Sequence, residues 1–417
     1  MKKKVLAFAA AAVLMAPQMV GAEGFAIYEW SAEGLAMGGA RMFAENDAAN
    51  LAYNPASITK VKGEAFKVSA TYLSPHGKYD VTPVSPLLES SGHNRVHPAW
   101  APGMYYVKQI NDKEWFGMGT WTRFGMVSQF ERNSVPGSNS FSAKLNGVTL
   151  GANYARKLDK KWTASLGAEV NYVGLQMDKN LLNVSPIHVE GETYALGWNA
   201  AANYEFDDKN EIGLVYRSAI NHSMDADYDL HGPLSLKANG TYGSAYACVT
   251  LPESLTLGYN HKFNDKTRVE LNYIWTRWER YDALNISFDP GMLGTTGTIT
   301  EVPQTKNWTN GKRFAIGLEH KFSDKYSGML GYAFDHSNIP YDGGDFMIPT
   351  GTRTTYGIGA QYHDKKQTLA VALGWMNVGS LDFMGHTLAT GGTDTFTNVH
   401  TRDSYTKIAS ISYQRNF

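Results

Sequence analysis

The sequence has one cysteine, Cys248, in 417 residues, so neither an internal disulfide nor a multi-cysteine metal centre is available to it. Charge is scarce as well. Asp, Glu, Lys and Arg make up 18%, and 38 basic residues against 39 acidic ones leave a formal net charge of −1. A nucleic-acid binder needs a basic face that such a balance does not provide. After the first residues, no run of about 18 apolar positions occurs, which excludes a helical membrane span. His-Glu-x-x-His and Gly-x-Ser-x-Gly are both missing. Asp335-His336-Ser337 does not make a triad, because neighbouring strand side chains face opposite ways. No enzyme, metal or cofactor is expected.

Aromatic side chains are abundant: 24 Tyr, 18 Phe and 10 Trp, alongside 41 glycines. That is more apolar surface than a disordered chain carries. At the N-terminus, Met1-Lys2-Lys3-Lys4, an apolar run from Val5 to Ala16, and the small residues Val20-Gly21-Ala22 follow the order of a secretory signal. Residues 1–22 are therefore expected to be cleaved, with the mature chain starting near Glu23.

From about residue 64 the dominant period is two. Trp162, Ala164, Leu166, Ala168, Val170 and Tyr172 alternate with Thr163, Ser165, Gly167, Glu169 and Asn171. Val269, Leu271, Tyr273 and Trp275 alternate with Arg268, Glu270, Asn272 and Thr276. Such segments are strands with one apolar and one polar face. A sandwich would bury the apolar face, and a membrane barrel would turn it to lipid. The segments far exceed the roughly 5 or 6 residues usual in sandwich strands. Aromatics gather near segment ends, as a girdle at each membrane boundary requires. The polar parity is rich in Gly, Ala, Asn and Glu, which suits a crowded lumen.

Six short motifs mark turns: Asn111-Asp112-Lys113, Leu158-Asp159-Lys160, Asp207-Asp208-Lys209, Asn264-Asp265-Lys266, Ser323-Asp324-Lys325 and His363-Asp364-Lys365. Between them lie longer polar stretches, read as loops near 76–97, 130–142, 179–191, 226–245, 285–307, 338–350 and 382–403. Six turns and seven loops separate fourteen strands. The expected fold is all-β: an antiparallel transmembrane barrel of residues 64–417 in the bacterial outer membrane, ending on the aromatic Phe417.

Residues 23–63 differ. Small residues (Gly34, Ala36, Gly38, Gly39, Ala40, Ala44, Ala48, Ala49, Ala52) dominate, and the stretch closes on Asn54-Pro55-Ala56. It is too short to fold alone, so its expected place is in the lumen, as a hatch of short helices. Pro55 restricts Asn54 to an extended or turn conformation.

Gly24-Phe25, Ser31-Ala32-Glu33-Gly34-Leu35, Asp47-Ala48-Ala49-Asn50 and Asn54-Pro55-Ala56-Ser57-Ile58-Thr59 resemble the hatch of the FadL-type long-chain fatty acid outer-membrane transporters. The likeness continues in Gly197-Trp198-Asn199-Ala200, Tyr216-Arg217-Ser218, Leu251-Pro252-Glu253 and the Trp275–Trp278 region. This resemblance implies passive uptake of a hydrophobic molecule, most simply a fatty acid, with the outer-membrane lipid as the other partner; a monomer is the default for a closed barrel with its own plug. It also implies a lumenal pocket beside the hatch and lateral exit at an inward kink of the third strand, here about Glu114–Phe130. Gly117, Gly119 and Gly125 are the candidate kink residues, and Phe25, Ile27, Leu35, Met37, Met42 and Phe43 the candidate pocket on the hatch side. Arg123, Arg217 and Arg313 could meet a carboxylate, although Glu169, Glu205 or Glu319 could equally pair with them. The chain departs from the best-known fatty-acid branch at 179–191, where that branch carries a large helical loop. An aromatic or other small hydrocarbon is the alternative cargo, and a general porin the second alternative, opposed by the hatch.

Overall fold

In a computed structural model the described residues are 24–83, 90–132, 134–181, 184–294, 297–302, 306–384 and 396–417. The expected signal segment lies outside them. The wall is a closed antiparallel barrel of fourteen strands. Numbered along the chain, the first seven are Glu64–Pro83, Ala99–Asn111, Glu114–Trp121 with Gly125–Gln129, Ser142–Lys157, Trp162–Leu181, Ser185–Glu205, and Asn210–Arg217 with Ile220–Leu230. The rest are Thr241–Leu251 with Ser254–Lys262, Thr267–Thr276 extended by Ile286–Gly294, Gly311–Lys321, Tyr326–His336, Arg353–His363, Gln367–Val378 and Phe396–Asn416. Closure is direct, because the first strand pairs with both the second and the fourteenth (Val68↔Met104 and Val68↔Tyr413).

Burial inverts the rule of a soluble protein. In the fifth strand Leu166 is 63% exposed and Trp162 and Val170 also face out, whereas Glu169 and Asn171 are wholly buried. The apolar parity thus looks to lipid and the polar parity to the lumen. Aromatic pairs mark two levels on this strand: Trp162 with Tyr204 at 4.8 Å between centroids, and Tyr172 with Tyr194 at 5.1 Å. Ten residues separate the levels. At ~3.3 Å per residue and a tilt of ~40°, that rises ~25 Å, the height of an outer-membrane apolar band.

All six short turns close as the motifs predict, and their mechanism is visible. Asn111, Asp159, Asp207, Asn264 and Asp364 each accept the backbone N–H two residues on, at 2.7–2.9 Å, and Ser323 accepts that of Lys325 at 3.3 Å.

The long loops need correction. The fifth strand runs to Leu181 and the sixth starts at Ser185, so most of 179–191 is hairpin. The first strand reaches Pro83, the stretch 226–245 is strand up to Leu230 and again from Thr241, and 285–307 holds the hairpin Ile286–Gly294 with Gly297–Val302. A helix, Val135–Ser140, occupies 130–142, and 338–350 is irregular. Residues 385–395 of the last stretch lie outside the described residues. Beyond the bilayer only the inward faces of these strands, with Leu181, Ile187, Val189 and Leu230, are buried, while the outward faces meet water, so polar composition there does not oppose a ladder whose backbone groups are still paired.

Residues 24–63 fill the lumen. Ser31 caps the helix Ala32–Ala36, its Oγ accepting the Gly34 N–H at 3.0 Å. Gly38 and Gly39, at φ of 61° and 85°, turn the chain after it. A second short helix, Asn50–Tyr53, leads to a 3-10 turn, Pro55–Lys60, whose cap Asn54 is extended, as the residue before a proline should be.

Candidate functional site

The plug sits against glycines of the inward parity. A Cβ on Gly331 or Gly357 would lie 2.1 Å from the backbone of Met37 or Leu35, and one on Gly258 would meet the Met42 sulfur at 2.4 Å. Buried ion pairs add to this packing. Lys67 Nζ bridges Glu33 at 2.8 Å and Asp47 at 2.7 Å, while Arg41 reaches Glu319 at 2.8 Å, which Arg268 also holds at 2.7 Å. The Asn54-Pro55-Ala56 motif is tied to the sixth strand: Asn54 Nδ2 donates to Asn203 Oδ1 at 2.7 Å, and Asn203 Nδ2 to Ser57 Oγ at 2.9 Å.

Above the plug, the inward parity changes character. After Glu169 and Asn171 the fifth strand presents Val173, Leu175 and Met177, all buried. The neighbouring strands do likewise with Ala143 and Leu145, with Ile187 and Val189, and with Ile220 and Met224. Loop residues Trp278, Tyr281, Trp308, Phe346 and Phe383 complete one apolar cluster, which includes Phe25 from the plug. Phe25 stands edge-on to Phe124, Trp278, Tyr281 and Trp308, with centroids 4.9–6.3 Å apart.

Two buried ammonium groups lie in this apolar region. Lys306 is ion-paired with Asp345. Burial works against its charge, yet the Asp345 carboxylate outweighs burial and holds the ammonium above its ordinary range. Lys179, buried, makes no ion pair or hydrogen bond among the described residues, and its nearest charges are Asp345 and Lys306. Sequence reasoning missed both. The available signal was the switch from polar to apolar on the inward parity after Asn171, within which Lys179 is the one charged side chain.

The third strand departs from the wall. Pairing with the second strand ends at Met104↔Thr120, and a lone backbone bond, Arg95 N–H to the Gln129 carbonyl at 2.7 Å, lies beyond. Toward the fourth strand the register slips by one residue between Trp121↔Thr149 and Gly125↔Asn146, which is a bulge. Residues 119–126 are all buried, so none of them faces lipid. The displaced backbone pairs with the plug instead. Ile27 N–H donates to the Arg123 carbonyl, and Gly125 N–H to the Phe25 carbonyl, each at 2.9 Å.

Of the candidate kink residues, Gly125 ends the displaced stretch. Gly117 and Gly119 lie in regular pairing with Val107 and Tyr105, and the space at both is taken by Leu51 of the plug. Their missing side chains serve packing, not bending. The six candidate pocket residues are dispersed. Leu35 and Met37 pack with Ile27 under the tenth to thirteenth strands, Met42 and Phe43 under the seventh and eighth, and Phe25 joins the aromatic cluster. A cavity of about 40 Å³ brings Ile27 and Met42 together with Arg123, Arg217 and Phe124. Arg123 donates to Glu169 at 2.8 Å and Arg217 pairs with the same carboxylate, which Asn199 also supports at 2.8 Å. Arg313 stands apart, its Nη2 on the Gly38 carbonyl at 2.7 Å and its Nε 3.1 Å from Asp335.

Comparison with known proteins agrees with this architecture. A family described as outer membrane protein transport protein (OMPP1/FadL/TodX) matches residues 13–402. The long-chain fatty acid transport protein of Escherichia coli O6:H1 is 25% identical over 398 residues, covering 85% of this chain and 86% of that one. Among solved structures, a Pseudomonas aeruginosa FadL homologue superposes with a TM-score of 0.82 at 18% identity, covering 94% of this chain and all of the other. The Pseudomonas putida toluene transporter TodX gives 0.69 at 16%, with 94% and 99% covered. An outer-membrane barrel with a lumenal plug, the chain belongs to the OMPP1/FadL/TodX family of outer membrane transport proteins.

Proposed function

We propose that the protein admits hydrophobic molecules bearing a carboxylate, long-chain fatty acids above all, passively through the outer membrane. The observation that carries this is the combination of an apolar upper lumen, a plug below it, and a wall strand displaced inward between them. A sixteen-carbon chain gains roughly 0.8 kcal/mol per buried methylene, so about 12 kcal/mol opposes its release into water. A route that stays apolar and ends in the bilayer avoids that step. The displaced third strand, centred on 122–124 and ending at Gly125, is the proposed lateral exit. Lys179, buried without an ion-pair partner among the described residues and beside the aromatic cluster, supports an acidic head group, because a carboxylate would neutralise it.

A second reading is an aromatic hydrocarbon. The cage formed by Phe25, Phe124, Trp278, Tyr281 and Trp308 favours it, since edge-to-face contact suits a planar ligand. Competitive uptake decides: cells depending on this protein should take up radiolabelled oleate in preference to toluene, and the reverse preference would overturn the first reading. Liposomes containing the intact protein should swell slowly in sugars, and deletion of residues 23–56 should make them leaky. Rapid sugar permeation through the intact chain would instead mark a general porin.

A further inference from the structure

A separate cavity of about 60 Å³ lies where the second and third strands part. Asn94 and Val96 line it from one edge of the gap, Val127 and Ser128 from the other, and Phe130, Phe346, Met376 and Val378 form much of its apolar wall. Among the described residues no Asp or Glu lines it, whereas Arg353, His76 and Lys78 do. Three of its polar side chains are each at least nine-tenths buried yet incompletely satisfied: Ser128 Oγ, Thr350 Oγ1 and Arg353 Nε have no hydrogen-bond partner among the described residues. The Arg353 Nη2 does lie 3.2 Å from Asp335 Oδ2, but that carboxylate is shared with Arg313 at 3.1 Å. Two guanidinium groups therefore face one carboxylate. A buried polar group left without a protein partner costs free energy, and a ligand that accepts from it recovers that cost.

Resting on the proposed transport function, we infer that this cavity is a head-group site at the wall gap, where Arg353, with the Ser128 and Thr350 hydroxyls, receives the carboxylate of a fatty acid whose tail points between the parted strands. A carboxylate gives the Arg353 guanidinium an anion beyond the shared Asp335, and it accepts from both hydroxyls. Phe130, Val127 and Val96 would then meet the first methylenes. The site selects acids over neutral chains of equal length.

The test is equilibrium binding of radiolabelled oleate and of oleyl alcohol to the full-length protein purified in lipid A-free detergent micelles. Arg353→Gln should weaken oleate binding about tenfold, as expected for losing a hydrogen bond to a charged group, and leave oleyl alcohol binding unchanged. Arg353→Lys should restore most of the preference. Ser128→Ala and Thr350→Val, which remove no charge, should each show a smaller loss in the same direction. Unaltered oleate binding by Arg353→Gln would overturn the assignment, as would equal loss of both ligands, the sign of a structural role only. Binding of added lipid A that depends on Arg353 while oleate binding does not would place a membrane-lipid phosphate there, against the inference. Wild-type protein that binds neither probe would refute the transport reading itself, a result distinct from any of these.

Discussion

The Ile27 N–H donates to the Arg123 carbonyl at 2.9 Å, so the third wall strand forms its hydrogen bonds, at the point where it leaves the sheet, with the plug. A strand pulled out of a sheet inside a membrane would otherwise leave backbone groups unpaired, at a cost of several kcal/mol each. Plug and displaced strand are consequently one mechanical unit.

Ile27→Pro removes that donor while leaving the barrel sequence intact. Gly125 N–H, bonded to the adjacent Phe25 carbonyl, should then exchange with deuterium markedly faster than in the wild type. Unchanged protection at Gly125 would show that the plug does not hold the displaced segment.

Gly147 on the fourth strand faces the same segment from the other side. A Cβ there would stand 2.3 Å from the Phe124 carbonyl oxygen, a backbone atom with little freedom to yield. Gly147→Ala should shift residues 122–124 and lower oleate uptake several-fold, while the barrel still migrates as a folded band on unheated gels. Wild-type uptake by this variant would disconnect the segment from transport.

Glu169 carries two guanidinium groups, Arg123 from the displaced strand and Arg217 from the seventh. Breaking a buried pair by removing one partner costs about 3–5 kcal/mol. Glu169→Gln should lower the temperature at which the folded band is lost, and adding Arg123→Gln should recover part of that loss by relieving the unopposed charges. A double variant no better than the single one would mean that the charges are not coupled.

At the periplasmic turn after the sixth strand, Asp207 is held below its ordinary value of 3.8, first by the Lys209 N–H and then by the Asn210 side chain and N–H. For a depressed carboxylate, the stability it contributes is complete above the unfolded value and fades as pH falls through the lower folded value. An NMR titration should therefore place the Asp207 midpoint below 3.8, and a midpoint at or above it would contradict the turn geometry.

Much of the architecture could be read from short-range pattern. Alternation in Trp162–Tyr172 located a wall strand and its lipid face, because strand side chains switch sides at every residue. Asp207 and its counterparts located the short turns, because an Asx side chain bonds a backbone group only two residues away. Where composition was the only guide, as at 179–191 and 226–245, polar strands above the membrane read as loops. Gly117 and Gly119 show a similar limit: glycine in a strand gives no local sign of whether it allows bending or admits Leu51.

By itself, then, the sequence determined the fold class, the strand number and the short turns, all of which follow from periodicity and neighbours a few residues apart, and the small size of the stretch before them pointed to the lumen as its place. Only the tertiary structure decided that Arg123 and Arg217 share Glu169, that Lys179 is buried beside Asp345, and that Arg353 meets Ser128 and Thr350 around one cavity. These groups come from strands and loops far apart in the chain. What brings them together is the register of a closed sheet and the seating of its plug, and neither leaves a trace in the spacing of residues along one strand.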